Sequence, residues 1–209
     1  MLTVDDGKGT PCSTSTDYLH VNINSRPVAV LEEVKNTCVG REVNFDASGS
    51  KDPDGDRLSY MWDFGDGTTA EGGSRASHVY TDGGTYTVSV CVDDGQGSPC
   101  SRACPSIKVN VNAPPTAKLA VTKACCVNMD QKFDASASSD PDGDSLRYSW
   151  NFGDGTTAEG VRANHSYSEP GTYKVLLRVD DGKGTDCSTA CDSTEIKVNA
   201  KPVPVIEVR

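Results

Sequence analysis

The chain has 209 residues, of which 35% are hydrophobic and 6% aromatic, with 20 glycines and 11 prolines. This is too little apolar material for one deep core, so the composition favours several small domains of short strands. The net charge of −10 opposes binding to nucleic acid or to an anionic membrane and favours a cation as partner. No apolar run approaches the roughly 18 residues of a membrane-spanning helix. The nine cysteines indicate a secreted or surface-exposed chain.

Short runs of alternating polar and apolar residues follow one another along the chain. They occupy residues 42–45, 58–62, 86–92 and 107–111, and clusters of Gly, Pro and Asp separate them. A period of two residues predicts antiparallel strands that bury one face. Because no helical periodicity accompanies them, the predicted fold class is all-β.

The runs belong to a repeat. Asp-Pro-Asp-Gly-Asp at 52–56 recurs at 140–144, and Trp-Asp-Phe-Gly-Asp-Gly at 62–67 recurs at 150–155 with Asn in second place. We therefore predict the last two strands of a partial repeat and the first strand of a following one at the two ends, and expect the chain to be a segment of a longer array. The predicted units are 1–24 (partial), 25–112 and 113–200 (complete) and 201–209 (partial).

These motifs resemble those of the PKD (polycystic kidney disease) domain family. The Asp-x-Asp loop at 52–56, the Trp-Asp-Phe-Gly-Asp-Gly motif at 62–67 and the His-x-Tyr…Gly-Thr-Tyr-x-Val stretch at 78–88 occur in the family's order, and a second set follows. The resemblance covers essentially the whole chain. It implies seven-strand immunoglobulin-like β-sandwiches, found in surface proteins, secreted enzymes and adhesive stalks, where the domain spaces or binds while the chemistry lies elsewhere.

The tryptophan motif has a structural interpretation. Its aromatic side chains are expected in the core, while Gly and Asp shape a tight turn and bond its backbone amides. His78 and His165 precede strands and are expected to make structural hydrogen bonds. No nucleophile and base pattern accompanies them, so we expect no enzyme and no catalytic residue. A glycosidase carboxylate pair is disfavoured because the acidic cluster is copied in each repeat.

The acidic loops are the candidate metal sites. In an immunoglobulin-like sandwich, two loops meet at the pole where the chain enters the domain, and here both are acidic. Clustered carboxylates repel one another unless a cation neutralises them, and their oxygens suit Ca²⁺; some PKD relatives bind calcium at matching positions, so the resemblance also points to Ca²⁺. The alternative is a solvated turn without metal. The candidate ligands are Asn24, Ser25, Asp52, Asp54, Asp56 and Asp94 in the first complete repeat, and Asn112, Asp140, Asp142, Asp144 and Asp181 in the second.

All the cysteines are disulfide candidates, and two arrangements stay open. Cys91 and Cys100 flank a turn and would bridge one hairpin, which is the favoured local arrangement. Cys38 would instead reach Cys187 or Cys191 across the junction between repeats. Because nine is an odd number, at least one thiol is unpaired or bonds outside this sequence, and Cys12 is the natural candidate. The remaining candidates are Cys104, Cys125 and Cys126.

The leading functional hypothesis is a structural extracellular module at the cell surface. Calcium-stiffened, disulfide-stapled repeats would form part of a fibre, filament or adhesive stalk. Its partners would be further PKD repeats of the same chain or copies of itself, with a surface protein or polysaccharide as a further possibility. The alternatives are a carbohydrate- or protein-binding module, which an exposed row of aromatics would support, and a spacer of a large secreted hydrolase.

Overall fold

The computed structural model describes residues 1–122 and 126–202. Within these ranges the chain forms seventeen strands and no helix, which confirms the predicted all-β fold class. Consistent with this, none of the described residues belongs to a helix that could cross a membrane. Most of the predicted strand at 201–209 falls on residues 203–209, which lie outside the described residues.

A hairpin precedes the first sandwich. Strands β1 (Leu2–Asp5) and β2 (Thr14–Asp17) pair antiparallel, with Val4 opposite Ser15. Every residue of both strands is exposed. The hairpin therefore contributes no buried side chain to either core.

The first sandwich, in the region predicted as one complete repeat, has two sheets. Its strands are β3 (Thr37–Cys38), β4 (Glu42–Asp46), β5 (Ser59–Asp63), β6 (Thr69–Gly72), β7 (Arg75–Val79), β8 (Gly84–Asp93), β9 (Arg102–Ala103) and β10 (Ser106–Asn112). The larger sheet has the order β3-β10-β8-β5-β6, with β9 also paired to β8, and the smaller sheet pairs β4 with β7. All these pairs are antiparallel except β3 with β10.

The second sandwich repeats this plan. Its strands are β11 (Ala120–Val121), β12 (Gln131–Asp134), β13 (Arg147–Asn151), β14 (Thr157–Glu159), β15 (Arg162–His165), β16 (Gly171–Asp180) and β17 (Thr189–Val198). One sheet has the order β14-β13-β16-β17 and the other β11-β12-β15. The long strand β17 stands where β9 and β10 stand in the first sandwich. A parallel bridge between Cys126 and Asn199 corresponds to the β3–β10 pairing.

Each sandwich has its own core. Alternate residues of β8 (Val88, Val90 and Val92) are fully buried, and β16 does the same with Val175, Leu177 and Val179. Burying one such side chain stabilises the fold by about 1.5–3 kcal/mol. Since the two core clusters are separate, the relation between the repeats depends on the contacts at their junction.

The tryptophan motif is structural, as predicted. Trp62 is buried and donates its indole N–H to the Gly73 carbonyl, and Asp66 accepts the Thr68 backbone N–H. Gly65 has φ of +79°, and a Cβ there would lie 2.5 Å from the Thr87 carbonyl oxygen. Only glycine avoids both the strained φ and the clash. The motif thus holds a tight turn against β8.

His78 also has the predicted structural role. Its ring stacks on Phe64 with centroids 4.3 Å apart, and its Nε2 lies 2.6 Å from Asp66 Oδ2. His165 repeats this arrangement on Phe152 and Asp154. Each histidine therefore supports the tryptophan-motif turn of its own repeat.

Candidate metal centres and the repeat junction

The Asp-Pro-Asp-Gly-Asp loop of the first sandwich folds around one carboxylate. Asp52 Oδ1 accepts the backbone N–H groups of Asp54 (2.8 Å) and Asp56 (3.4 Å). Asp54 in turn accepts the backbone N–H and the hydroxyl of Ser25, at 2.6 and 3.0 Å. One carboxylate oxygen from each of the three aspartates lies within 4.8 Å of the others. The loop and the entry residue Ser25 are thus brought together as predicted.

The second loop has the same backbone plan. Asp140 Oδ1 accepts the N–H groups of Asp142 (2.8 Å) and Asp144 (3.3 Å). Asp142 accepts the N–H of Ala113 at 2.7 Å, but Ala113 has no hydroxyl to match that of Ser25. The three carboxylates again lie within 4.8 Å of one another. Both loops thus present three acidic groups to a common point.

The two remaining predicted carboxylates have a different role. Asp94 and Asp181 are buried, and each accepts a side-chain amide N–H at 2.8 Å, from Asn24 and from Asn112. Burial alone would raise the pKa of Asp94, but hydrogen bonds from Asn24, from the Gln96 backbone and from Ser101 outweigh it and lower that pKa. Neither aspartate joins the three-carboxylate group of its own loop in the part of the chain that the structure describes. Their hydrogen bonds hold the residue at which the chain enters each repeat, Asn24 or Asn112.

The loops pass a test of fit for a cation. Asp52 Oδ2, Asp140 Oδ2 and Asp144 Oδ2 are buried and have no hydrogen-bond partner among the described residues. A buried carboxylate oxygen without a partner is costly, so such groups are normally satisfied by a donor or a metal. Ca²⁺ binds oxygens at 2.3–2.6 Å, so two oxygens that share one ion lie no more than about 5 Å apart. The observed spacing meets that limit.

One neighbour of each loop was missed from the sequence. Gln96 donates its side-chain N–H to Asp56 Oδ2 at 2.9 Å, whereas Lys183, at the equivalent position, pairs with Asp144 Oδ1 at 2.7 Å. The hydrogen bond to Asp144 raises the pKa of Lys183, and the charges of Asp144, Asp181 and Asp142 add to the effect. Both residues occupy the one variable position of a repeated element, Val-Asp-Asp-Gly-x-Gly, at 92–97 and 179–184, and that variation was the available signal.

The second loop also lies against the first sandwich. A Cβ on Gly83 would come within 1.9 Å of Asp142 Oδ1, so the glycine makes room for this carboxylate. Asp142, Asp144 and Lys183 line a cleft of about 350 Å³ together with residues of the first sandwich, including Gly84 and Asn110. The second loop therefore lies at the junction between the two repeats.

A disulfide bond joins the two sandwiches. Cys38, in β3, bonds Cys187, in the loop between β16 and β17, across 149 residues of sequence. This is one of the two partners predicted for Cys38; the other, Cys191, is exposed and has no disulfide partner in the described part of the chain. Beside the bond, Arg41 forms an exposed ion pair with Asp186 at 3.4 Å, which contributes little. The covalent bond therefore contributes more to this junction than the ion pair does.

The predicted Cys91–Cys100 bond is wrong. Cys91 bonds Cys104, because β8 pairs with β9 in a register that puts Val92 opposite Ala103 and so centres the hairpin on Gly97–Ser98. The prediction placed the turn two residues too early. In the second sandwich Arg178 stands opposite Cys191, so the same bond cannot form there. Cys12, Cys100, Cys126 and Cys191 are unbonded among the described residues, while Cys125 lies outside them.

Comparison with known proteins identifies the repeats. The family described as "PKD domain" matches residues 24–109 and 112–198. The chain belongs to the PKD domain family. The match spans the two sandwiches and the carboxylate loops of both, so the resemblance seen in the sequence is confirmed.

The relatives of these PKD repeats include much longer proteins. Collagenase ColA of Clostridium perfringens is 39% identical over 89 residues, which cover 43% of this chain and 8% of the collagenase. Pre-pro-metalloprotease PrtV of Vibrio cholerae is 31% identical over 137 residues, covering 65% of this chain and 14% of the protease. The chain thus spans a small part of these relatives and matches only their PKD regions.

Solved structures give the fold. The chain Sidekick-1 immunoglobulin domains 1-5 aligns with a TM-score of 0.54 at 12% identity, over 85% of this chain and 40% of that one. At this identity the likeness concerns the fold alone, and it agrees with immunoglobulin-like sandwiches in tandem.

Proposed function

We propose that this chain is a non-catalytic extracellular spacer that holds two PKD repeats at a fixed relation, by a disulfide bond and by calcium at the acidic loops. The observation that carries the proposal is the Cys38–Cys187 bond. A bond within one repeat stabilises only that repeat, whereas this one restricts how the two repeats move. Disulfides persist in oxidising compartments, which supports an extracellular location.

Calcium is proposed as the second brace. Asp140, Asp142 and Asp144 would hold an ion at the junction, and Asp52, Asp54 and Asp56 would hold another at the entry to the first repeat. When bound, the ion would supply positive charge and oxygen coordination. The support is the buried carboxylate oxygens that lack a partner and the close contact of Asp142 with Gly83, through which an ion on that loop would stiffen the junction.

A carbohydrate-binding function has less support. Flat sugar-binding sites rely on exposed aromatic rings, whereas Tyr18 is the only exposed aromatic side chain among the described residues. The other rings are buried or partly buried in the two sandwiches. The binding-module hypothesis therefore lacks the surface it requires.

Small-angle X-ray scattering tests the proposal. The chain is measured oxidised with calcium, oxidised with a chelator, and reduced with a chelator. We expect the oxidised chain with calcium to have the narrowest distribution of maximum dimensions. The reduced chain with chelator should scatter as two independently moving bodies. Superimposable curves with flexible behaviour in all three states would exclude a fixed spacer.

A second setting for the same function is a secreted hydrolase. The collagenase and metalloprotease relatives favour a spacer within such an enzyme over a fibre. Joining this chain between a catalytic domain and a substrate-binding domain tests it. The spacer function predicts activity on insoluble substrate that falls when Cys38 and Cys187 are both replaced by serine, with activity on a soluble peptide unchanged.

A further inference from the structure

Asn112 lies next to both cysteines of the junction disulfide. It pairs in parallel with Cys38, and its carbonyl accepts the backbone N–H of Val39 at 3.0 Å. The same carbonyl oxygen lies 3.5 Å from Cys187 Sγ. The last residue of one repeat therefore has on one side the cysteine that opens its own sandwich, and on the other the loop cysteine of the following repeat.

Half of this arrangement recurs after the second repeat. Cys126 forms a parallel bridge with Asn199, and the Asn199 carbonyl accepts the backbone N–H of Val127 at 3.0 Å. These contacts reproduce those of Cys38 with Asn112. Cys126 is partly exposed and unbonded among the described residues. Cys126 thus has the contacts of Cys38 but no disulfide partner among the described residues.

The complementary half recurs before the first repeat. Cys100, at the position equivalent to Cys187, donates its thiol to the Asn24 carbonyl with S and O 3.6 Å apart. Thr185 and Ser98 are matched neighbours, each with a hydroxyl 3.4 Å from the sulfur. Cys100 is also partly exposed and unbonded. Here the loop cysteine is present, and no opening cysteine bonds to it among the described residues.

We propose that Cys126 and Cys100 are the two complementary halves of the same inter-repeat disulfide, and that the partner of each is an adjoining PKD repeat of this type. Cys126 bonds the loop cysteine of a following repeat, and Cys100 bonds the opening cysteine of a preceding one. The bonded pair Cys38–Cys187, seated on the equivalent asparagine, is the template for both.

The bond forms by oxidation of two thiols. One thiolate attacks oxidised glutathione and releases one glutathione thiol, and the second thiolate then displaces the other glutathione from the mixed disulfide. The two cysteine thiols thus lose two protons and two electrons in total, and glutathione disulfide gains them.

The consequence is a continuous series of overlapping disulfide-closed loops along the array. The bond inside this chain spans residues 38–187, the upstream bond would end at Cys100, and the downstream bond would begin at Cys126. Because 100 lies after 38 and 126 lies before 187, successive spans overlap. Every repeat would then lie inside at least one disulfide loop, and no junction would depend on backbone alone. This inference rests on the spacer proposal only in taking adjoining repeats as partners; it does not require calcium.

A chain extended by one repeat tests the proposal. Residues 1–199 are followed directly by a second copy of residues 113–199, with Cys125→Ser in both copies, and the protein is refolded in a glutathione redox buffer. We expect peptide mapping without reductant to join Cys126 to the added copy of Cys187, and to retain Cys38–Cys187. The matched control carries Cys187→Ser in the added copy, and Cys126 should then remain open to alkylation.

The mirror extension keeps the test decisive if the first fails to fold. There a copy of residues 25–112 replaces residues 1–24, so that the copied Cys38 faces Cys100. In either protein, tryptophan fluorescence shows whether the added sandwich has formed. A folded added repeat with Cys126 or Cys100 still alkylated would overturn the proposal. If the bond forms but scattering shows freely moving repeats, the inter-repeat disulfide is confirmed and the fixed-spacer function is wrong.

Discussion

At the first pole, the region formed by residues 52–56 and 94–101, Asp56 receives a hydrogen bond from the neutral amide of Gln96. At the second pole, formed by residues 140–144 and 181–188, Asp144 pairs with the ammonium group of Lys183. The second pole also has the Cys187 bond to the preceding sandwich, whereas Cys100 at the first pole has no disulfide partner among residues 1–122 and 126–202. The two poles have the same Asp-Pro-Asp-Gly-Asp sequence, but different contacts hold them: a neutral hydrogen bond at the first, and an ion pair and a disulfide bond at the second.

The difference shows how one repeat can be adjusted to its position. A lysine beside the carboxylates partly neutralises them, so we expect weaker calcium binding at the second pole than at the first. The disulfide then supplies a link that does not depend on calcium concentration. If the loops bind calcium as proposed, the fourth neighbour is expected to set the difference in affinity between them.

Removal of the junction disulfide is expected to have the largest effect. The double variant Cys38→Ser/Cys187→Ser opens a loop of 149 residues, and such a bond contributes roughly 4–5 kcal/mol in the chain-entropy account. We expect the urea midpoint to fall accordingly. Cys191→Ser is the control, because Cys191 is exposed and unbonded; an equal fall in that variant would show that cysteine loss in general, and not the junction, is responsible.

Removal of one carboxylate at each pole comes next. Asp52→Asn and Asp140→Asn each replace the aspartate around which the loop folds, while the retained amide oxygen can still accept the loop N–H groups. With calcium at about 100 times the Kd, binding stabilises a repeat by about 2.7 kcal/mol. We expect each variant to lose the calcium-dependent rise of the melting temperature in its own repeat only. Melting that calcium leaves unchanged in the unsubstituted protein would rule out both sites.

An exchange at the fourth neighbour tests the comparison directly. Lys183→Gln should tighten calcium binding at the second pole by roughly tenfold, since it removes a positive charge that lies 2.7 Å from Asp144 Oδ1. Gln96→Lys should weaken binding at the first pole by a similar factor. Isothermal titration calorimetry measures both. Affinities that do not respond to either exchange would mean that the neighbour does not control the sites.

The smallest effect concerns acid stability away from both poles. Burial works to raise the pKa of Asp66, but hydrogen bonds from Thr68 and His78 outweigh it and lower the pKa from 3.8 to about 2. The folded pKa is thus below the unfolded one, so this carboxylate stabilises the fold above pH 3.8 and loses its contribution as the pH falls towards 2.

Asp66→Asn should therefore cost about 1 kcal/mol near neutral pH and flatten the fall in stability between pH 4 and 2. Urea unfolding at several pH values measures it, in calcium-free buffer so that calcium binding does not contribute. A variant whose stability falls with acid as steeply as that of the parent would contradict the assignment.

Much of this molecule could be predicted from its sequence because its signals are local or repeated. Alternation along β8 and β16, and the duplicated tryptophan and aspartate motifs, indicated the sandwiches and the carboxylate loops. The disulfide register was not local: a two-residue error in the centre of the hairpin exchanged Cys104 for Cys100. Likewise, the hydrogen bond from Asn24 to Asp94 depends on the path of the chain as it enters the repeat, which spacing does not reveal.

Mechanical extension of a single molecule by its two ends tests the central claim most directly. If the Cys38–Cys187 bond joins the repeats, the chain between these two cysteines, which are 149 positions apart in sequence, is shielded from force and releases no length, whereas β17 (Thr189–Val198) lies outside this span and is not shielded. Reductant should then free roughly 500 Å of additional chain length. The same extension with and without reductant would show that the bond does not carry the load, and would contradict the proposed spacer.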